Sequence, residues 1–427
     1  MYAYVIALSL LASNAAPYLA WRSRQNIPTH INLAFASTYI FSTFFSYNLL
    51  STFHNELLTK YCQILALGSF TYIVGIYFGR LWSNGSANSM GIIARIPDDD
   101  FYEKLSIRAS RLMLIGLIFM AVSYYIMGFI PIFASSPFEA KYFRGIYQAS
   151  YRPVAPLFRT GEMITVTCQL ALSTLAIFYR KHRSYHITLV GLSVLAILST
   201  LNRGTMMMGI MFSLTFYFSR TRLFYVWFIG LITIFSFGST SNYFFGELLH
   251  QDSLSANADT GNLMKLISSG APDIIDQLGM LNAFDSSKTP DFTYGRSFYG
   301  GLVPYHYYWN PSVWTLVVIT GSSDIENTVS GGLRIPVQLW GYYSFGWVGV
   351  LIIPLLSGIL TGRCIGWLSQ VIPNATPSKA IVCYMVYLSL FIQITAFYFL
   401  SIYNIPIILL SLYFMYYHPR HSVLNIH

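Results

Sequence analysis

Apolar residues in this chain come in long runs, and the polar residues collect between them. A transmembrane helix needs about 20 consecutive, mostly apolar residues. On that rule the runs at roughly 2–21, 29–50, 61–81, 109–131, 161–179, 185–201, 204–219, 223–242, 346–366, 379–400 and 403–418 each predict a span. The expected fold is an all-α polytopic integral membrane protein with about 11 transmembrane helices, in a range of roughly 10–12. One polar stretch, 241–345, is far longer than a connection between two helices requires. Its aromatic-dense portion from Tyr305 to Trp309 predicts an ordered, partly helical cap, because disordered segments are poor in aromatic residues. Three regions follow: 1–240, carrying the first eight spans and a basic loop near 132–160; 241–345, the cap; and 346–427, the C-terminal spans.

Composition strengthens the membrane reading. The 427 residues are 55% hydrophobic and only 10% charged, with a mean hydropathy of +0.52. Soluble domains carry about 25% charged residues. The net charge of +9 comes without a basic cluster on a soluble fold, so nucleic acid is not an expected partner. The chain enters its first apolar run at once, without a preceding basic region, so a retained span is expected rather than a cleaved signal peptide. Cys62, Cys168, Cys364 and Cys383 all fall in apolar runs without metal-binding spacing, which predicts buried, inert thiols.

Lysine and arginine in the connections set the orientation. Alternate connections hold Arg22 and Arg24; Arg80, Arg95, Lys104, Arg108 and Arg111; Arg180, Lys181 and Arg183; Arg220 and Arg222; Arg363 and Lys379; and Arg420. This set is expected in the cytoplasm with the C-terminus, which leaves the N-terminus and the cap outside. The external side then holds Lys60, Arg203 and a loop with Lys141, Arg144, Arg152 and Arg159. An external arginine excess wants a partner, either an anionic ligand or the acids of the cap.

Arginine's planar fork matches two phosphate oxygens. Arg203, Arg296, Arg334 and Arg159 fall on the same expected side, at the depth where a lipid pyrophosphate carries its charge. They are the candidate pyrophosphate ligands, the structural alternative being that they pair with cap carboxylates or anchor to lipid headgroups. His306, between Tyr305 and Tyr307, is the first candidate general base, with Glu326 and Asp324 as carboxylate alternatives. Tyr294, Tyr299 and Trp309 could stack on sugar rings, although interfacial anchoring selects the same residues. There is no phosphate-binding glycine loop, dinucleotide fingerprint, HExxH or Cys/His cluster, so no cofactor and no metal site are expected. Asp98, Asp99 and Asp100 are expected as a solvated turn. No internal repeat and no buried charges within the spans are evident, which counts against an ion-coupled carrier.

Local motifs add a resemblance. Asn202-Arg203-Gly204 opens a span, Tyr294-Gly-Arg296 runs to Gly301-Leu-Val-Pro304, and Gly332-Leu-Arg334 leads into Gly341-Tyr-Tyr-Ser-Phe-Gly346-Trp-Val-Gly349. With the overall layout, these resemble the O-antigen polymerases, the Wzy family of Gram-negative inner membranes. The resemblance implies a metal-independent, GT-C-like glycosyltransferase architecture with the long loop in the periplasm. It implies a donor glycan on undecaprenyl pyrophosphate, a lipid-linked repeat unit as acceptor, and a chain-length regulator as a partner. Arg203, Arg296 and Arg334 would be the pyrophosphate-contacting arginines. Where an acidic residue is expected before the Tyr/Phe-Gly segment, this chain has Gln338 and Trp340. Competing readings are an O-antigen ligase using the same donor, a lipid-linked oligosaccharide flippase, and a membrane O-acyltransferase or sensor.

Overall fold

The computed structural model describes residues 1–45, 50, 53–83, 98–143, 145–201, 203–238, 273–286, 292–303, 309–321, 333, 335–388, 400 and 408–413. Among these it is all-helical. The helices are α1 (Tyr2–Ala20), α2 (Ile27–Phe45), α3 (Asn55–Ser83), α4 (Asp98–Met127), α5 (Pro137–Lys141), α6 (Ile146–Tyr151), α7 (Ala155–Phe178) and α8 (Arg183–Leu198). They continue with α9 (Arg203–Ser219), α10 (Phe224–Gly238), α11 (Asp273–Ser286), α12 (Arg296–Tyr299), α13 (Pro311–Thr320), α14 (Val337–Val371) and α15 (Pro377–Val386).

Among the described residues, five helices are long and apolar enough to cross a membrane: α1, α3, α4, the stretch Glu139–Phe178 that ends with α7, and α14. Shorter apolar helices are α8, Met208–Ser219 within α9, Phe224–Phe235 within α10, and α13. The surface supports the same reading. Leu8, Phe70, Phe78, Trp82, Ile118, Ile126, Val226, Ile229, Val348 and Ile352 are exposed, while Ser106, Ser110, Thr165, Gln169, Thr174, Ser193 and Ser213 are buried. Apolar side chains outside and small polar ones inside suit a hydrocarbon solvent.

Helices α1–α4 and α7–α10 run alternately between two ends. At one, Tyr2 meets Asn55 and Thr59, the Ile132 amide donates to the Ser199 carbonyl, and Lys60 reaches Asp285 of α11. This is the cap end. At the other, Arg24 meets the Thr221 carbonyl, Tyr102 the Lys181 carbonyl, and Lys379 pairs with Asp98 at 2.6 Å. Arg22, Arg180, Arg183, Arg220 and Arg222 gather there as well, making it the basic end. Asp98–Asp100, expected as a solvated turn, instead forms the first turn of α4. Carboxylates are favoured there by the helix dipole, and Asp98 gains Lys379 as a partner. All four cysteines are buried and free.

The most extensive helix contact is between α3 and α14. Gly75 and Gly79 on α3 meet Gly358 and the backbone of Ile359 and Arg363, while Gly358 and Gly362 on α14 meet the backbone of Tyr72 and Ile76. Small residues on both partners let the backbones touch, the usual means of helix association in lipid. The pairing of Gly75 with Gly358 and of Ser83 with Gly366 shows that the two helices run in the same direction.

The first part of α14 does something different. Phe345 (φ −144°, ψ 21°) and Gly346 (φ 61°, ψ −144°) break the helix, and Gly341 and Gly349 face each other backbone to backbone across the break. Residues 337–344 therefore form a short limb folded back on the long one. Gln338 sits against Gly68 and Ser69, close to the middle of α3, and Tyr342 lies beside Lys60 near its start. The limb climbs antiparallel to α3 from mid-helix toward the cap end. This stretch, expected in the polar cap, is buried in the bundle because Leu339, Trp340 and Tyr343 pack with Ile6, Tyr61, Ile64 and Leu65.

Candidate functional site

The break in α14 is the point around which the described cap residues assemble. Backbone amides of Thr293 and Tyr294 donate to the carbonyls of Tyr343 and Ser344 at 2.9 and 3.1 Å, and the Thr293 and Ser344 hydroxyls lie 3.0 Å apart. The carbonyls at the end of the short limb, which the helix leaves unpaired, thus find donors in the cap. Tyr294 (φ 48°) and Gly295 (φ 78°) then turn the chain through two successive left-handed residues into α12. Such a conformation is costly for tyrosine and concentrates at functional positions.

That turn presents Arg296. Its guanidinium lies 5.6 Å from the Trp309 ring centroid, and Tyr299 packs edge-on to the same indole with centroids 5.9 Å apart. Gly300 allows this, since a Cβ there would come within 2.6 Å of the Trp309 carbonyl oxygen. Trp309 is placed in turn by α13. That helix starts where the Asn310 side chain accepts from the Ser312 amide, with Pro311 in its first turn, and stops at Gly321 with φ 65°. Tyr294 packs edge-on against Phe345 at 6.3 Å. Arg296, Tyr294 and Tyr299 are exposed. The arrangement offers a cation backed by an indole, with two further aromatic faces beside it.

On the other flank of the break, Lys60 Nζ lies 2.8 Å from both carboxylate oxygens of Asp285 and 4.7 Å from the Tyr342 ring centroid, while the Tyr342 hydroxyl donates to Asp285 Oδ1 at 3.4 Å. Tyr61 donates to Gln277 at 2.7 Å. These contacts pin α11 to α3.

Among the expected site residues, Arg296, Tyr294, Tyr299 and Trp309 come together here. Arg203 begins α9 at the cap end, with its side chain outside the description. Arg334, His306, Glu326 and Asp324 lie outside the described residues. Arg159 is paired within its own helix, and among the described residues with no acid of 241–345. Its Nη1 lies 2.8 Å from Glu162 Oε2, and its Nε donates to the Tyr151 hydroxyl at 2.9 Å. Glu162 also corrects the expectation that the spans hold no buried charge, since it is 3% exposed within α7. It was legible as an acid in the 161–179 run. Asp285 and Lys60 were visible only as solitary charges, and nothing in the sequence showed that they would meet. Comparison with family models, curated proteins and solved structures finds no match to this chain.

Proposed function

We propose that the protein is a metal-independent glycosyltransferase that polymerises lipid-linked oligosaccharide repeat units at the outer face of the bacterial inner membrane, as the O-antigen polymerases do. One observation carries this reading: an exposed arginine backed by tryptophan and flanked by two tyrosines is fixed on a helix break, at the same end of a membrane bundle as Arg159 and Arg203. The excess of lysine and arginine at the basic end supports a cytoplasmic placement of that end, and hence a periplasmic cap.

In this reading the donor is a glycan on undecaprenyl pyrophosphate and the acceptor a single lipid-linked repeat unit. The acceptor's hydroxyl oxygen attacks the donor's anomeric carbon, the bond from that carbon to the pyrophosphate breaks, and its electron pair leaves with the lipid pyrophosphate. Fixed arginines in a low-dielectric setting stabilise the charge that develops there. Tyr294, Tyr299 and Trp309 supply stacking faces for the sugars. His306, Glu326 and Asp324 stand as candidates to take the hydroxyl proton, and a chain-length regulator as a candidate partner. The approximately eleven-span, GT-C-like layout belongs to the same proposal.

A second reading, a lipid-linked oligosaccharide flippase, draws support from the Arg159–Glu162 pair, because charged groups within spans mark transport paths. Complementation separates the readings. A strain lacking its own polymerase is given wild type, Arg203→Ala, Arg296→Ala, Arg334→Ala or His306→Ala, with membrane levels checked, and its lipopolysaccharide is resolved on a gel. A polymerase restores the ladder, and the arginine variants leave core plus one repeat unit. Loss of every repeat with accumulated lipid-linked polymer marks a ligase. No ladder from wild type refutes the polymerase reading.

A further inference from the structure

Glu162 stands eight residues into α7 and is 3% exposed. A carboxylate inside a spanning helix is costly, and its position is functional by default once its partner can be named. The partner is Arg159, one turn nearer the cap end. The guanidinium is held by an acid, a hydroxyl and three aromatic rings. Glu162 accepts from Nη1, the Tyr151 hydroxyl accepts from Nε, and the rings of Phe143, Tyr151 and Phe158 lie 5.6, 5.9 and 5.8 Å from its carbon. Phe143 reaches this place with φ 53° and stacks flat on Tyr151 at 3.7 Å. A non-glycine residue in that conformation persists only where its surroundings over-determine it. The fork has one orientation, yet the Arg159 side chain remains 37% exposed.

Stability does not account for the pair, since a buried ion pair is often no more stable than apolar residues of the same volume. The helix beside α7 begins at comparable depth. Helices α7 and α9 run in the same direction: the Ser213 and Thr174 hydroxyls are 2.9 Å apart, and Gly209 abuts Leu170. Both pairs are offset by 39 residues (213 − 174 and 209 − 170). Carried back along the helices, that offset sets the backbone of Arg203 opposite residue 164, at the depth of Glu162 (203 − 39 = 164).

We propose that Glu162 is the built-in counter-ion and positioning residue of an interfacial anion site at Arg159, and that the ligand is the pyrophosphate of a polyprenyl carrier. The proposal rests on the functional reading above and names a part of its binding machinery. Without ligand, Glu162 keeps the arginine compatible with membrane depth. With ligand, it holds the fork so that the donors not used by Glu162 and Tyr151 face the phosphate oxygens. The two roles have opposite signs for affinity, which makes them separable. Neutralising Glu162 while keeping its shape removes a competing negative charge, whereas truncating it releases the fork.

The test uses the full-length protein in nanodiscs and measures binding of farnesyl pyrophosphate, inorganic pyrophosphate and farnesol. Glu162→Gln is expected to bind farnesyl pyrophosphate about fivefold tighter than wild type, the scale of one nearby like charge in a wet interface. Glu162→Ala and Arg159→Lys are each expected to bind it roughly tenfold more weakly, through loss of the oriented, bidentate fork. Arg183→Ala, at the basic end, is the folding and charge control and should match wild type. Equal affinities for wild type and both Glu162 variants would overturn the role of Glu162. Farnesyl pyrophosphate binding no tighter than farnesol would overturn the anion site, and inorganic pyrophosphate binding as well as the lipid form would overturn the lipid source. Preserved binding in a protein that restores no ladder would sink the polymerase reading and leave the site standing.

Discussion

Gly362→Ala tests the contact on which the bundle most depends. The added Cβ would land on the Ile76 carbonyl, 2.7 Å from its carbon and 2.8 Å from the Ile76 Cα. Carbon atoms rest at about 3.5 Å or more, so α14 must retreat from α3 by about 0.8 Å (3.5 − 2.7), enough to forfeit a quarter or more of the dispersion at the seam. Neither neighbour can yield by rotating a side chain, because the obstructing atoms are backbone. Overpacking of this kind costs about 1–3 kcal/mol, against a helix-propensity gain of about 0.5–1 kcal/mol for alanine over glycine. The expected net loss is about 0–2.5 kcal/mol, centred on about 1 kcal/mol. Gly191→Ala is the matched control. It lies in α8 with nothing within 4 Å of its Cβ position, so it should be neutral or stabilising by up to about 1 kcal/mol. Unfolding of the purified proteins in mixed micelles with increasing SDS, followed by circular dichroism, gives the midpoints. Coincident midpoints for Gly362→Ala and Gly191→Ala would refute the close-packed seam.

Two further outcomes are expected. Because the four native cysteines are buried, an introduced thiol should dominate labelling in intact cells. Ser135→Cys and Arg296→Cys should react with a membrane-impermeant maleimide and Arg183→Cys only after lysis; the reverse pattern would invert the orientation. Gly300→Ala drives a methyl into the Trp309 carbonyl at 2.6 Å, so it should reduce the lipopolysaccharide ladder at unchanged membrane level, at a cost of about 1–3 kcal/mol to the local structure. An unchanged ladder would mean that the Arg296–Trp309–Tyr299 cluster has no part in the reaction.

The five long apolar helices were legible because apolar run length maps directly onto membrane thickness. Their ends were not. Asn55–Lys60 and Asp98–Arg108 are polar enough to resemble loops, yet they continue α3 and α4 past the apolar section, and their first-turn acids suit helix N-termini. The back-folded limb was hidden for a different reason. Gln338-Leu-Trp-Gly-Tyr-Tyr-Ser reads as the end of a polar loop, and only its packing against Tyr61, Ile64 and Gly68 makes it part of the bundle. At the site, the aromatic and arginine residues from Tyr294 to Trp309 were recognisable from local density alone. Pairings across more than 200 positions, such as Lys60 with Asp285, depend on topology that no local pattern carries. Glu162 was overlooked because one acid among apolar residues scarcely lowers the hydropathy of its run.

The break at Phe345 and Gly346 also changes how crossings are counted. As one 35-residue helix, α14 invites the view that chain entering at Val337 leaves at Val371 after a single unbroken passage. Only the long limb makes that passage. The short limb makes no crossing; it starts beside the middle of α3 and returns toward the cap end. Reporters fused after Leu333 and after Phe345 should therefore give the same signal, and a reporter fused after Val371 the opposite one. Parity of the whole C-terminal third turns on a single glycine with a positive φ.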